Sequence, residues 1–207
     1  MNLLIFGATG TVGRPLVSEA LAQGHQVTAF VRDPDKFAKT HERLRVVRGD
    51  ALLASDVNRA VQGHDAVLCC IGAGAKGHVR SAATRNIVRA MEACGVQRFI
   101  CQSTLGVGES WNNLNFFWKR CMFGLLLRRA YADHVKQEET VAASRLEWTI
   151  VRPAAFTDEP KSGGYRHGFA SNDQKLTFKI SRADVVEFLL RQLTDRTYLR
   201  RPVGISS

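Results

Sequence analysis

The heptapeptide GATGTVG occupies residues 7–13 and directly follows a short apolar run at residues 3–6. The run has the composition of a buried strand, and residues 11–23 have the apolar period of a helix. In such a strand–turn–helix unit, glycines permit a tight turn, a close approach of the backbone to a pyrophosphate, and close packing of the helix on the sheet. Backbone N–H groups at the start of the helix then bind the phosphates. The heptapeptide therefore predicts a dinucleotide-binding loop, and the absence of a G-x-x-x-x-G-K-[ST] motif argues against a P-loop NTPase.

The rest of the chain repeats this alternation of strand-like and helical segments. Near-continuous apolar strands require a sheet that is covered on both faces, and strict alternation with helices implies parallel strands with right-handed crossovers. Gly24 and Gly95 are placed to end helices, and Ser55 and Ser181 to cap helix N-termini. We therefore predict one α/β domain over residues 1–207, a doubly wound, mostly parallel Rossmann sheet flanked by helices. The predicted strands are residues 3–6, 26–31, 44–47, 66–71, 98–102, 148–151, 176–178 and 203–205, and the predicted helices are residues 11–23, 55–61, 80–94, 130–144 and 181–193.

Composition limits the possible functions. The chain has 207 residues, 45% of them hydrophobic, and its 29 Lys+Arg against 19 Asp+Glu give a formal charge of +10. This balance is compatible with nucleic acid, anionic lipid or a phosphorylated ligand, but the basic residues are mostly scattered and no nucleic-acid-binding motif is present. The six histidines lack metal-ligand spacing, so no metal site is expected.

Three features bear on the location of the protein. Its five cysteines form no CxxC pair and fit a reducing compartment. The first residues lack a signal-peptide pattern, and the longest apolar stretch, residues 121–127, is far shorter than the roughly 20 residues that span a bilayer. We expect a cytoplasmic protein.

The residue at the end of the second strand selects between NAD and NADP. That position is Arg32, and Lys36 follows one turn later. A guanidinium matches a 2′-phosphate in bidentate fashion and an ammonium adds a point charge, whereas an acidic residue would bind the ribose hydroxyls of NAD. The pattern favours NADP(H) over NAD(H), although Asp33 stands between these cations and is either a turn-forming residue or a competing anion.

Several motifs together resemble those of atypical short-chain dehydrogenase/reductases, in the single-domain NAD(P)H-binding branch that includes flavin reductase/biliverdin-IXβ reductase and NmrA-like proteins. Besides GATGTVG, they are Val31-Arg32-Asp33, Gly49-Asp50, Ser103-Thr104, KQEE at 136–139 and WTIVRP at 148–153. The resemblance implies that these residues contact the cofactor: Gly7, Thr9, Gly10, Thr11, Val12 and Gly13 at the pyrophosphate, Asp50 and Ala51 at the adenine, and Ile71, Gly72, Ala73, Ser103, Pro153, Ala154 and Ala155 around the nicotinamide.

The catalytic pattern of that family is incomplete here. Lys136 matches the lysine of Tyr-x-x-x-Lys, but the tyrosine position is Ala132, and Tyr131 is displaced by about 100° around a helix. The histidine that follows the proline in the flavin reductase/biliverdin reductase pattern is Ala154. Ser103, Lys136 and Tyr131 remain the candidate catalytic residues. Lys136 could equally pair with Glu138 or Glu139, and Ser103 could be an ordinary strand-end hydroxyl.

Two stretches that follow strand ends, about 105–129 and 154–174, show no clear periodicity and are predicted to be substrate loops. Residues 111–129 combine aromatic side chains with four cations. They suit a lid over a planar substrate, a dimer contact, contact with a membrane surface, or a helix that simply packs on the domain.

The most economical hypothesis is an NADPH-dependent oxidoreductase that transfers hydride to a flavin, quinone or similar planar acceptor. The alternative is a non-catalytic NADP-binding redox sensor of the NmrA-like kind, which the missing proton donors favour. A membrane-associated or electron-transfer factor is a third class, suggested by residues 111–129.

Overall fold

An eight-stranded sheet forms the centre of the molecule in a computed structural model that describes residues 1–37, 39–74 and 77–207. Its strands are β1 (Asn2–Phe6), β2 (Gln26–Val31), β3 (Leu44–Arg48), β4 (Ala66–Cys69), β5 (Arg98–Gln102), β6 (Glu147–Pro153), β8 (Arg166–His167) and β10 (Arg201–Ser206). They are ordered β3-β2-β1-β4-β5-β6-β10-β8, and all pairings are parallel except that of β8 with β10. Two short strands, β7 (Ala155–Thr157) and β9 (Lys179–Ser181), form a separate parallel pair. The predicted doubly wound Rossmann sheet is confirmed.

Helices cover both faces of this sheet, as the apolar strands require. Leu16 of the first helix and Phe188 of the last belong to one buried cluster, while Ile87 of the third belongs to the other. Cys69, the last residue of β4, and Cys70, which follows it, fall in opposite clusters, because successive residues of extended backbone point to opposite faces of a sheet. The helices are α1 (Gly13–Ala22), α2 (Ala54–Val61), α3 (Val79–Cys94), α4 (Arg128–Ala142) and α5 (Arg182–Arg191), with a short 3₁₀-helix at Pro34–Lys36.

The structure confirms one of the two predicted serine caps and corrects the other, and it also corrects one predicted strand. Ser181 caps α5, and its Oγ accepts a hydrogen bond from the backbone N–H of Asp184 at 3.0 Å, as predicted. Ser55 is not a cap, because α2 begins one residue before it and Leu53 occupies the cap position. Residues 176–178 do not form a strand. Phe178 has a φ of +59°, which is incompatible with extended backbone, so the strand begins only at Lys179.

The stretch predicted as loop over 105–129 is largely helical. It contains a 3₁₀-helix at Gly108–Asn113 and a π-helix at Phe117–Leu126, which leads directly into α4. The stretch over 154–174 contains β7 and β8. Within the described part of the chain, no helix combines the length and apolar character that a bilayer crossing requires.

Candidate functional site

The glycine loop joins β1 to α1 at the carboxyl edge of the sheet. Gly7 has a φ of +80°, and a Cβ there would lie 2.5 Å from the carbonyl oxygen of Cys70, so only glycine fits between β1 and the end of β4. The backbone N–H of Gly10 donates to the Gly7 carbonyl at 2.9 Å and closes the turn. No side chain of the described residues caps the first turn of α1. The Arg14 N–H donates to the Gly10 carbonyl at 3.0 Å and Pro15 has no N–H, so the N–H groups suited to an anion are those that precede Arg14.

A cavity of about 240 Å³ lies above this loop, and we call it the glycine-loop cavity. Its walls come from the ends of β1, β2, β3, β4 and β5 and from the start of α3. It brings together most of the predicted cofactor residues: Gly7, Thr9, Gly10, Thr11, Val12, Arg32, Asp50, Ala51, Ile71 and Gly72.

Three predicted cofactor residues line neither this cavity nor the one beside it that is described below. Gly13 has a packing role, because a Cβ there would collide with the backbone of Gly7 and Ala8. The Lys36 ammonium is exposed and forms an ion pair with the Asp33 carboxylate at 3.0 Å. That hydrogen bond is the main reason why the pKa of Asp33 lies below its ordinary value. Ala73 lies beyond the lining residues in the loop after β4.

Arg48 is a candidate site residue that no sequence pattern indicated. It ends β3, where it pairs in register with Val31 at the end of β2, so it lies beside Arg32. Both arginines are exposed and line one open cavity next to Asp50. Arg32 lines both this open cavity and the glycine-loop cavity, whereas Arg48 lines only the open one.

A second cavity of about 280 Å³, here called the aromatic cavity, adjoins the first. The two cavities share Ile71, Gly72, Gln102 and Phe156 in their walls. The remaining predicted nicotinamide residues, Ser103, Pro153, Ala154 and Ala155, line the aromatic cavity. Its apolar wall is formed by Leu105, Leu114, Trp118, Met122, Phe123, Leu127 and Phe178.

The polar part of the aromatic cavity centres on Ser103 and His134. The Ser103 side chain is buried, and its Oγ lies 3.5 Å from Nδ1 of His134. The same nitrogen lies 3.1 Å from Oε1 of Gln137, whose amide nitrogen donates to Thr84. The hydrogen bond to Thr84 orients the Gln137 amide so that its oxygen faces His134. Because an amide oxygen only accepts hydrogen bonds, we assign the imidazole proton to Nδ1. Burial, reinforced by the charge of Arg80, lowers the pKa of His134 to about 4, so the ring is neutral at pH 7.

Arg80 also lines the aromatic cavity and links α3 to α4. Its backbone N–H donates to Asp133 at 2.9 Å, and the Ser81 backbone N–H donates to the same carboxylate at 3.1 Å. Burial acts to raise the pKa of Asp133, but the hydrogen bonds from Ser81 and the Arg80 charge outweigh it and lower the pKa. The ionised carboxylate thus holds the first turn of α3 against α4 and fixes one wall of the site.

Tyr131 and Lys136 are not brought to this site. The Tyr131 hydroxyl donates to the backbone carbonyl of Gly106 at 3.3 Å, and its ring packs between Trp111 and Phe123. Lys136 is exposed on α4 and lines neither cavity. His134 lies two residues from Lys136, about 200° around the helix, and occupies the cavity-facing position instead.

Glu138, one suggested partner of Lys136, instead forms an ion pair with Arg152, with a nitrogen–oxygen distance of 2.6 Å.

Among residues 1–37, 39–74 and 77–207, no group of three or more histidine, cysteine or acidic side chains is arranged to hold a metal ion.

Comparison with known proteins gives concordant results. Residues 7–196 match a family model described as NAD(P)H-binding. The chain is 30% identical over 179 residues to the uncharacterized chloroplastic protein At2g34460 of Arabidopsis thaliana, covering 78% of this chain but only 61% of that protein. It is 28% identical to YhfK of Bacillus subtilis, an uncharacterized sugar epimerase, with 100% and 94% of the two chains covered. The structure of ChuY, an anaerobilin reductase from Escherichia coli O157:H7, matches with a TM-score of 0.82 and 25% identity, covering 100% of this chain and 97% of that one.

Proposed function

This chain belongs to the NAD(P)H-binding family of atypical short-chain dehydrogenase/reductase type, and we propose that it is an NADPH-dependent reductase that transfers hydride to a planar acceptor such as a flavin or quinone. One observation carries the proposal. The glycine-loop cavity and the aromatic cavity meet at a common wall of four residues, so a dinucleotide in the first would present its nicotinamide to a molecule in the second. Bound NADPH supplies the hydride.

The glycine-loop cavity suits this cofactor. Gly7 and Gly13 allow the loop backbone to pack tightly against the end of β4 and the start of α1, and the start of α1 has no protein cap among the described side chains. At the other end of the cavity, Arg32 and Arg48 provide two cations for a 2′-phosphate. They line an open cavity together with Asp50 and Asp56, and the Asp33 carboxylate that follows β2 is paired with Lys36. The two arginines support NADPH over NADH as the cofactor.

The aromatic cavity suits a flat, largely apolar acceptor. Trp118, Phe123 and Phe178 provide apolar surface on which such a ring system can pack. Ser103 donates a hydrogen bond to the acceptor atom that gains electron density, and His134 orients the serine hydroxyl. Because His134 is neutral at pH 7, it does not store the proton that completes the reduction. That proton comes from water.

The proposal is tested by following NADPH oxidation with FMN, riboflavin and a series of quinones. Ser103→Ala should lower kcat/KM for the acceptor by about 2- to 10-fold, corresponding to one lost hydrogen bond, while NADPH affinity stays unchanged. Ser55→Ala, an exposed serine on α2 outside both cavities, is the matched control. NADPH binding without turnover of any acceptor would overturn the reductase assignment.

One observation favours a second candidate function. Tyr131 and Lys136 do not assemble a proton-donating pair in the aromatic cavity, as expected for a protein that binds NADP(H) and signals its redox state to a partner. The same assay separates the candidates, because a sensor binds NADPH tightly and shows no turnover.

A further inference from the structure

We propose that the outer face of residues 116–129 docks on an anionic lipid bilayer. This segment comprises the π-helix Phe117–Leu126 and the residues that join it to α4. Its inner face lines the aromatic cavity through Trp118, Met122 and Phe123. The proposal concerns the outer face and does not depend on the reaction assigned above.

The outer face exposes an unusual amount of apolar surface. Phe116 is 74% exposed, Phe117 55%, Leu125 76% and Leu126 64%. The other large hydrophobic residues that are exposed in the described part of the chain, Met1, Leu52 and Leu53, lie outside this segment. Four large apolar side chains exposed within 11 residues indicate a surface that is covered when the protein functions.

The charge of the same segment indicates what covers it. Residues 110–132 contain no aspartate or glutamate but four cations, Lys119, Arg120, Arg128 and Arg129. None of these four forms an ion pair within the part of the chain that the structure describes, although arginines elsewhere, such as Arg152 and Arg182, are paired with carboxylates. Unpaired cations beside exposed Phe and Leu are the combination that binds the headgroup region of an anionic bilayer.

A second copy of this chain fits the same surface poorly. A twofold interface would place each segment against its own copy and bring eight uncompensated positive charges together. A bilayer with anionic headgroups instead neutralises the cations and takes up the apolar side chains at once. The charge distribution therefore favours lipid over self-association.

The test is co-sedimentation of the full chain with phosphatidylcholine vesicles that contain or lack phosphatidylglycerol. We expect binding to the anionic vesicles only, and weaker binding as NaCl is raised. Arg128→Gln combined with Arg129→Gln should weaken the binding roughly 30-fold, because each cation near such a surface contributes about a fivefold factor. Leu125→Ser combined with Leu126→Ser should weaken it as well.

The matched control is Arg85→Gln combined with Arg89→Gln, which removes two exposed arginines from α3 and should leave vesicle binding unchanged. Circular dichroism and NADPH affinity establish that each variant is folded, since none of the substituted residues lines the glycine-loop cavity. Absence of binding to either vesicle, equal binding to both, or equal loss in the control would overturn the proposal. So would a concentration-dependent dimer that Leu125→Ser/Leu126→Ser abolishes.

Discussion

Removal of the Arg32 guanidinium should change the cofactor preference of the protein. Arg48 ends β3 and Arg32 directly follows β2, and both line one open cavity beside the glycine-loop cavity, where we expect the adenosine of the cofactor. A hydrogen bond to a charged group contributes about 1.5–3 kcal/mol, and the lower value applies here because both side chains are exposed. Since about 1.4 kcal/mol corresponds to a factor of ten, Arg32→Ala should weaken NADPH binding about tenfold.

The same substitution should leave NADH affinity nearly unchanged, because NADH lacks the 2′-phosphate. Arg48→Ala should have an effect of similar size, and the double variant should approach a hundredfold loss if the two contacts are independent. Arg45→Ala, an exposed arginine three residues earlier on β3 that lines no cavity described above, is the control. Titration calorimetry gives the dissociation constants of both nucleotides. Equal loss of NADPH and NADH affinity in Arg32→Ala would refute the assignment.

Three further predictions concern stability. Folding lowers the pKa of His134 from 6.5 to about 4, so the unfolded chain binds an extra proton between these pH values. The free energy of unfolding of the wild-type protein, measured with urea, should therefore decrease by up to about 3 kcal/mol as the pH is lowered from 6.5 to 4. His134→Asn should reduce this pH dependence. Glu138→Gln leaves the exposed Glu109 as the one ion-pair partner, among the described residues, of Arg152, which is 4% exposed. It should lower the free energy of unfolding by about 3 kcal/mol in thermal unfolding, whereas Glu109→Gln should lower it by under about 1 kcal/mol. Ser181→Ala should lower the free energy of unfolding by about 1–2 kcal/mol, because it removes both the α5 cap and the hydrogen bond that the buried Ser181 hydroxyl donates to Asp184.

Local sequence signals were sufficient for the sheet and the glycine loop. The turn that Gly10 closes on Gly7 and the apolar runs of β1, β4 and β5 depend on neighbours within a few residues, so their sequence patterns predict them directly. The carboxyl ends of parallel strands share one edge, which is why Arg32, Asp50 and Ser103 are all found at the cavities.

The catalytic candidates could not be predicted in this way. A lone histidine has no spacing signal, and the role of His134 depends on Ser103 from β5 and on Gln137, which packing brings together. The Tyr131 ring packs on Trp111 and lies outside the aromatic cavity. Trp111 belongs to a 3₁₀-helix whose sequence has no clear periodicity, so this packing could not be predicted. The position of Arg48 depends on the register between β2 and β3, which is a property of the assembled sheet.

A crystal structure of the NADPH complex would test the central claim most directly. The account predicts the pyrophosphate on the N–H groups at the start of α1 and the 2′-phosphate between Arg32 and Arg48. It also predicts the nicotinamide against Ile71 and Gln102, with its reactive face open to the aromatic cavity beside Ser103. A nicotinamide that lies outside this junction, or that is separated from the aromatic cavity by protein side chains, would contradict the account.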